Sequence, residues 1–310
     1  MLSFVKADLD LEKTLKPSFV LAFLERVGPL EWRKIVGKYK GCVIGQRDSL
    51  IYSNTNEKAL LYWSGAWFNP RKVFASLKAK LTTRERELVK TLIDAYSNVS
   101  LSVNPYDLDL MIVPILLSRR TDYERNVLRW CRELWNRANS FEELLELDLK
   151  VIGTSYQLVQ LKMSLIDFKS EVIPKLNGGL TSSELRLALM KCRYVGPKVA
   201  DAYLLFTGLD ISATPIDVHL INMIRRLSLI DHYKLPSKEY CRKFVCEECP
   251  IFDVCLRATF TKKFKKLAGW LQTVFYLHDK LYCRRLMCSE CELRYYCINR
   301  EKLSLHFSKH

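Results

Sequence analysis

Apolar and polar residues alternate between positions 41 and 66, and this alternation predicts three short strands. They cover 41–45 (GCVIG), 49–53 (SLIYS) and 59–65 (ALLYWSG). The segments between them, QRD and NTNEK, are rich in turn-forming residues. We therefore expect a small antiparallel sheet within an N-terminal α+β domain over residues 1–104.

From residue 81 onward the spacing of apolar residues changes to every third or fourth position, which predicts helices. The clearest segments are 82–96, 107–135, 140–149 and 181–192. Thr82 or Thr83, Ser140 and Ser182 stand where N-cap residues are expected. The chain is therefore expected to be mainly α, with a helical domain over residues 105–282.

Two segments share the cysteine spacing C-x4-C-x2-C-x5-C, 42 positions apart. The first cysteine box is Cys241, Cys246, Cys249 and Cys255, and the second is Cys283, Cys288, Cys291 and Cys297. Four thiolates suffice for one [4Fe–4S] cluster or one zinc ion. The first box is predicted to form an insertion over residues 241–255 in the helical domain. The second box is predicted to lie in a C-terminal loop over residues 283–310. Three further cysteines, Cys42, Cys131 and Cys192, stand in apolar surroundings and are expected to be core thiols.

The charge balance indicates that this mainly helical protein binds polyanions. The 310 residues include 49 Lys and Arg against 34 Asp and Glu, a formal net charge of +15. Such a surface attracts nucleic acid, although a charged surface alone also fits thermal adaptation. No run approaches the roughly 18 apolar residues of a membrane span, and the N-terminus lacks the apolar core of a signal peptide. We expect an intracellular protein with no membrane partner, whose cysteines bind metal rather than form disulfides.

Residues 193–198, RYVGPK, separate two of the predicted helical segments. Gly196 permits a tight reversal and Pro197 suits the first turn of a helix, so a helical hairpin is expected. The backbone N–H groups of such a turn, at the positive end of the second helix, form a phosphate site that ignores base sequence. Ordinary helical hairpins also use glycine and proline, so the pattern alone is weak.

Lys198 opens the second helix of this hairpin, and TPIDVH, residues 214–219, follows 19 residues later with Asp217 and His219. A lysine that attacks carbon must spend time as a neutral amine, which a helix N-terminus favours. A carboxylate such as Asp217 stabilises a developing sugar cation or assists proton transfer. Taken singly, Lys198 also fits a phosphate-contacting or surface lysine, and Asp217 an ordinary N-cap.

Four segments together resemble one family. VGPKVADAYLLF (195–206) followed by TPIDVH resembles the helix-hairpin-helix and Gly/Pro-Asp signature of the DNA glycosylase superfamily that includes endonuclease III, with the strongest match to the 8-oxoguanine glycosylase/lyase branch. AGWLQTVFY (268–276) is similar to that branch's base-pocket segment, and LLSRRTDYERN (116–126) to its strand-invading turn. Residues 277–297, which include the second cysteine box, are similar to the iron–sulfur segment of endonuclease III.

The resemblance implies a role for each matching residue. Lys198 takes the place of the Schiff-base nucleophile and Asp217 that of the catalytic carboxylate. The base pocket would use Gln272, Tyr276 and Ala202, and the DNA contacts would be Arg120, Tyr194, Gly196 and His219. Three departures stand out: Arg193-Tyr194 replaces the usual Pro-Gly, Ala202 stands where eukaryotic oxidised-guanine enzymes have cysteine, and both boxes have four residues where endonuclease III has six.

The resemblance also implies a fold and an activity. The expected fold is a helix-hairpin-helix DNA glycosylase, with the hairpin over 184–207, a small N-terminal antiparallel β domain and C-terminal cysteine-ligated metal loops. The expected activity is a DNA repair glycosylase and AP lyase that excises an oxidised base, with 8-oxoguanine favoured, from double-stranded DNA.

The cofactors implied are a [4Fe–4S] cluster in the second box and a further [4Fe–4S] cluster or zinc ion in the first. The enzyme would act as a monomer in the cytoplasm and nucleoid or in the nucleus. Three alternatives stay open: a glycosylase for oxidised pyrimidines or mismatches, a non-catalytic DNA-binding iron–sulfur protein, and an electron-transfer protein.

Overall fold

In the computed structural model, which describes residues 2–176 and 178–298, a small sheet lies beside a large body of helices. The strands are β1 (Ser3–Lys6), β2 (Leu24–Gly28), β3 (Glu31–Lys34), β4 (Val43–Arg47) and β5 (Leu50–Ser53). All neighbouring strands pair antiparallel, in the order β1-β5-β4-β3-β2. The expectation of a mainly α chain with a small antiparallel sheet is therefore confirmed.

In the described residues, most α-helices come after the last strand along the chain, and one α-helix lies between β1 and β2. They are α1 (Leu11–Leu15), α2 (Glu57–Ser64), α3 (Pro70–Leu77), α4 (Thr83–Ala95), α5 (Leu108–Leu117), α6 (Leu128–Trp135), α7 (Phe141–Glu146), α8 (Tyr156–Glu171), α9 (Ile173–Leu176), α10 (Ser182–Lys191), α11 (Pro197–Thr207), α12 (Val218–Leu227), α13 (Lys238–Lys243), α14 (Leu256–Phe264) and α15 (Ala268–His278). Single π turns at Tyr123–Val127 and Asp279–Cys283 adjoin α6 and α15. None of these helices is long and apolar enough to cross a membrane. Residues 299–310, which end the predicted C-terminal loop, lie outside the described residues.

The strand prediction was partly wrong. Segments 41–45 and 49–53 correspond to β4 and β5, but 59–65 lies in helix α2, and the sequence pattern gave no sign of β1, β2 or β3. Asn56 begins α2 by accepting a hydrogen bond from the Ala59 N–H, and Gly65 ends it with a φ of 81°. A short apolar run fits either a buried strand or a buried helix, and here the two caps decide for the helix.

The helix predictions agree better with the structure, with corrections at the ends. Thr82 caps α4 in a capping box and Ser140 caps α7, as expected. Helix α10 is capped by Thr181, not Ser182, because Thr181 and Glu184 form the reciprocal hydrogen bonds of a capping box. The long segment 107–135 is not one helix, since a turn separates α5 from the π turn and α6.

A buried ion pair joins the sheet to the helical body. Lys34, at the end of β3, lies 2.7 Å from Asp107, which precedes α5, and both side chains are almost fully buried. Asp107 also accepts hydrogen bonds from the Lys38 N–H at 2.6 Å and from Asn104 Nδ2 at 2.7 Å. The carboxylate thus satisfies several donors at once, as a buried charge requires.

Helix α15 approaches α11 so closely that a side chain has no room between them. A Cβ atom on Gly269 would lie 2.3 Å from Leu205 Cδ1 and 2.5 Å from the Ile211 carbonyl oxygen. Glycine therefore sets the position of α15 against the end of α11 and the loop that leads to α12. The three helices meet where the sequence places its candidate catalytic residues.

Candidate active site

The turn between α10 and α11 has a different geometry from the one that the sequence predicts. Tyr194, not Gly196, adopts the left-handed backbone, with a φ of 62°. Gly196 is extended, with a φ of −121°, and Pro197 begins α11. A tyrosine in the left-handed region costs about 1–2 kcal/mol relative to ordinary backbone. Its ring lies under the Arg119 guanidinium at 5.6 Å, and Arg119 Nη1 donates to the Tyr194 carbonyl at 3.2 Å.

Lys198 is the second residue of α11 and its side chain is half-buried. Within the described residues it forms neither a hydrogen bond nor an ion pair, so its amine has no protein partner to displace. Ala202 lies one turn further along α11 and is buried. A small side chain at that position leaves room on the face of α11 that Lys198 shares.

Both carboxylate oxygens of Asp217 accept hydrogen bonds. One carboxylate oxygen caps α12 by accepting from the Leu220 N–H at 2.8 Å. The other accepts from Gln272 Nε2, on α15, at 3.2 Å. Gln272 is buried, and its carbonyl oxygen Oε1 has no hydrogen-bond partner in the described residues. A buried carbonyl oxygen without a donor is costly, so it marks a position where a ligand N–H fits.

Tyr276 lies one turn after Gln272 and packs against His219. The two rings meet edge to face, with centroids 4.6 Å apart. Lys280 Nζ lies 3.2 Å from the Tyr276 hydroxyl, 5.3 Å from its ring centre and 2.9 Å from Glu124. Burial raises the pKa of Tyr276, and Lys280 opposes this rise. Lys280 was not predicted, although its position four residues after Tyr276 places it on the same face.

Asp279 is a second residue that the sequence analysis missed. It is fully buried, and its Oδ2 lies 2.7 Å from His219 Nδ1 and 3.1 Å from Arg284 Nε. Burial alone would raise the pKa of Asp279, but His219 and Arg284 outweigh burial and lower it. The carboxylate therefore holds the His219 ring and connects α12 to the start of the second cysteine box.

Arg120 lies at the turn that follows α5 and points into solvent. Its φ is 50°, and its side chain is exposed. The preceding carbonyl, of Arg119, accepts from Tyr156 Oη at 3.0 Å and Gln157 Nε2 at 2.9 Å, which fixes the turn. Because Arg119 also contacts Tyr194, Arg120 and the hairpin project from neighbouring parts of the surface.

The second cysteine box packs between α4, α12 and α15. Cys291 is buried, with its sulfur 3.2 Å from His278 Nε2, and Cys283 lies 3.8 Å from Met223 Sδ. Burial raises the pKa of Cys283 to about 12. Tyr96, which follows the last residue of α4, has its Oη 2.9 Å from the other ring nitrogen of His278. The box is thus attached to the helices that carry Asp217 and Gln272.

The first cysteine box lies against the hairpin instead. Its four cysteines line one pocket together with Arg186, Arg257 and the rings of Phe244 and Phe252. Burial raises the pKa of Cys246, while Arg257 and Arg186 act to lower it. Within residues 2–176 and 178–298, no three His, Cys, Asp or Glu side chains are grouped closely enough to hold one metal ion. The core thiols expected at Cys42, Cys131 and Cys192 are buried.

Two clusters of candidate residues result. In the first cluster, Asp217 contacts Gln272 and His219 contacts Tyr276. The second cluster lies on the hairpin side and consists of Arg120, Tyr194, Gly196 and Lys198. The described residues contain no hydrogen bond or ion pair between Lys198 and Asp217.

Comparisons with known proteins agree on the fold. The sequence matches no family model and no curated protein. The fold is similar to that of the Clostridium acetobutylicum 8-oxoguanine glycosylase/lyase, in complex with double-stranded DNA containing cytosine opposite 8-oxoguanine. The TM-score is 0.66 at 15% identity, over 90% of this chain and 97% of that one.

Two further structures extend this likeness. The 3-methyladenine DNA glycosylase of Archaeoglobus fulgidus has a TM-score of 0.61 at 12% identity, over 91% of this chain and 99% of that one. Endonuclease III in a non-covalent complex with DNA has a TM-score of 0.50 at 16% identity, over 73% of this chain and 100% of that one. At these identities the likeness shows the fold alone, and it confirms the helix-hairpin-helix DNA glycosylase fold expected from the sequence.

Proposed function

We propose that this chain is a bifunctional DNA glycosylase and AP lyase that removes an oxidised base, with 8-oxoguanine as the favoured substrate. One observation carries the proposal: Gln272, which has an unpaired buried Oε1, contacts the Asp217 carboxylate at 3.2 Å. A group that recognises a base and a group that stabilises charge on its sugar thus share one site. The structural similarity to glycosylases that act on DNA supports the same class of reaction.

Recognition of the base would depend on Gln272 and Tyr276. The chemistry takes place at a sugar carbon that a stacked base shields, so the damaged nucleotide must leave the duplex. Gln272 Oε1 can accept a hydrogen bond from an N–H on the extruded base, while the ring of Tyr276 supplies an aromatic surface. Lys280 holds the Tyr276 hydroxyl, which fixes the orientation of that ring.

Binding of the DNA backbone would use the hairpin and the positively charged surface. The N-terminus of α11 presents backbone N–H groups to a phosphate, and the net charge of +15 favours the polyanion overall. Tyr194 and Gly196 lie in this turn, and His219 would contact a further phosphate. The exposed Arg120 would occupy the gap that the extruded base leaves in the stack.

The chemical step would begin with attack by the neutral amine of Lys198 on C1′ of the sugar. The C1′–N bond breaks as the new bond forms, and the base departs with the electron pair. Asp217 stabilises the positive charge that develops on the sugar. The attacking nitrogen then loses a proton and the C1′–O4′ bond breaks, which opens the sugar ring and leaves an imine at C1′. This imine makes the C2′ proton acidic, so β-elimination of the 3′ phosphate cleaves the strand.

A [4Fe–4S] cluster fits the second cysteine box. Cys283, Cys288, Cys291 and Cys297 would each bind one iron, with His278 beside Cys291. A cluster takes one thiolate per iron, so its ligands need not converge on one point as those of a zinc ion must. When bound, the cluster would order the loop that carries Arg284 and Arg285.

The lesion specificity has a second candidate, favoured by Ala202. Eukaryotic enzymes for oxidised guanine have cysteine at this position, and an alanine removes that contact. An oxidised pyrimidine, the substrate class of an endonuclease III-like enzyme, is the alternative, followed by a mismatched base. We expect the enzyme to act as a monomer where the cell keeps its DNA.

Incubation of single-lesion duplexes with borohydride tests the proposal, because the reagent traps the imine. We expect the 8-oxoguanine duplex to give the most trapped complex. Lys198→Gln should abolish base release and trapping while DNA binding persists, and Asp217→Asn should lose most of the base release. Lys90→Gln, at an exposed lysine on α4, is the matched control and should behave as wild type. Undiminished trapping by Lys198→Gln would place the nucleophile elsewhere, and trapping only on oxidised pyrimidines would favour the alternative.

A further inference from the structure

The first cysteine box borders a buried group of charges that does not balance. Arg186 holds Asp201 with two hydrogen bonds, Nε to Oδ1 at 2.7 Å and Nη2 to Oδ2 at 3.1 Å. Arg257 Nε donates to the same Oδ1 at 3.1 Å. All three side chains are more than nine-tenths buried, with exposed fractions of 3%, 9% and 0% for Arg186, Arg257 and Asp201. Arginine stays protonated in proteins, so two positive charges here share one negative charge.

The unbalanced positive charge faces the sulfurs of the box. Arg186 Nη2 lies 3.6 Å from Cys241 Sγ, and Arg257 Nη1 lies 3.1 Å from Cys246 Sγ. Asp210 also acts on Arg257 through space, but its carboxylate accepts hydrogen bonds from Ser212. A buried charge without a counterion is costly, and neutral thiols would not offset it. Thiolates would, and cysteine becomes a thiolate when it binds a metal.

We propose that the first cysteine box holds a second iron–sulfur cluster through four thiolates, and that Arg186 and Arg257 are its built-in counterions. The four cysteines line one pocket together with the two arginines, Ser237 and apolar side chains. The shared spacing of the two boxes also favours the same cofactor in both.

The counterions connect this cluster to the helix that carries Lys198. Asp201 lies three residues after Lys198 on α11, Arg186 lies on α10, and Arg257 follows the last cysteine of the box by two residues on α14. The cluster is therefore attached to both helices of the hairpin, whereas the second box is attached to α12 and α15. Arg186, Asp201 and Arg257 thus serve as positioning residues for α11, an inference that rests on the proposed role of Lys198. The metal site itself does not depend on that role.

Metal analysis of the full chain, purified without oxygen, tests the site. The double substitution Cys246→Ser/Cys249→Ser is expected to remove about four irons and about four sulfides per chain. Cys42→Ser, at a buried cysteine outside both boxes, should leave the iron content unchanged. Unchanged iron in the double variant, or loss of one zinc in place of the irons, would overturn the proposal.

Substitution of Arg257 tests the counterion. We expect Arg257→Gln to lose the same four irons, about as many as the double cysteine variant, and Arg257→Lys to keep them because it keeps the charge. If the box held neutral thiols, Arg257→Gln would remove an unbalanced charge, and the protein would resist urea better with no change in iron. That result would rule out the counterion role.

Borohydride trapping at a preformed abasic site reports on Lys198 separately. In Arg257→Gln we expect trapping to fall in proportion to the iron lost, with recovery in Arg257→Lys. If Arg257→Gln loses the iron but still traps fully, the inferred connection between the cluster and α11 is wrong, while the proposed metal site still stands. Absence of trapping by the wild type on every duplex, with its iron present, would instead contradict the proposed function.

Discussion

Among the candidate site residues, Gln272 has the environment that indicates most directly which ligand the site would bind. Its amide nitrogen donates to Asp217, but its buried Oε1 is unpaired among the described residues. A ligand that donates to Oε1 satisfies a group that already exists in the right place, so little reorganisation is needed on binding. The same contact orients the amide, because Nε2 is held and Oε1 must point away from the carboxylate.

Replacement of Gln272 by alanine should separate the two reactions of the proposed enzyme. We expect excision of the damaged base to slow by about 10- to 100-fold, the value of one or two hydrogen bonds. Strand cleavage at a preformed abasic site should be largely retained, because that substrate has no base to bind. Single-turnover rates on both duplexes measure the difference. Equal losses on the two would show that Gln272 instead supports Asp217.

At the scale of elements, the sequence predicted long periodic helices well and short segments poorly. Helix α4 has both a clear apolar period and a capping box, so its start at Thr82 was predictable. Helix α2 has eight residues, too few to show a helical period, so its short apolar run predicts a strand instead. Strand β1 pairs with the distant β5, so no neighbouring strand marks it. Strands β2 and β3 form a hairpin, but their sequences LERVG and EWRK are rich in charged residues and show little apolar alternation.

The candidate site was likewise only partly predictable from the sequence. Motif spacing located Asp217 and Gln272, but their contact spans 55 residues and depends on how α12 meets α15. Asp279 carries no motif, and its role follows only from its distance to His219. The left-handed Tyr194 was also missed, because a turn of this kind usually has glycine at that position.

Gly65, the residue that ends α2, provides a test at this scale. Gly65 has a φ of 81°, and a Cβ there would lie 3.1 Å from Ser100 Cβ and from Thr14 Cγ2. Gly41 has a φ of 88° with nothing within 4 Å of its Cβ position. We expect Gly41→Ala to cost about 1–2 kcal/mol of unfolding free energy from backbone strain alone. Gly65→Ala should cost more, since its Cβ would also lie 3.2 Å from the backbone carbonyl carbon of Leu101, which makes three close contacts. Urea unfolding measures both costs. Equal costs would mean that these neighbours move aside freely.

At the scale of the whole molecule, the pair of Lys34 and Asp107 holds the sheet against the helical body. Burial lowers the pKa of Lys34, and Asp107 opposes this, so the charged amine depends on its partner. Removal of one member of such a pair leaves the other charge buried and alone. The interface between sheet and helices is therefore expected to be sensitive to single substitutions.

A double-mutant cycle on this pair tests the coupling. Asp107→Asn should cost about 3–5 kcal/mol of unfolding free energy, because the buried Lys34 loses its counterion and must either stay charged without one or give up its proton. The double variant Lys34→Met/Asp107→Asn should cost less than the two single variants summed, since it leaves no isolated charge. Urea unfolding of the wild type, the two single variants and the double variant gives the four free energies that the cycle requires. Additive costs would show that the two residues contribute independently.

The segment that follows α4 contacts parts of the chain that are made much later, which sets an order of events during synthesis. Tyr96 bonds to His278, and the carbonyl of Val99 accepts from Trp270, across 182 and 171 residues. Both partners lie on α15, so Tyr96 and Val99 leave the ribosome long before these hydrogen bonds can form. A chain that stops before residue 268 would lack both contacts, and it would also lack Gln272 and Tyr276. Folding of this segment and completion of the candidate active site are thus expected to be one late event.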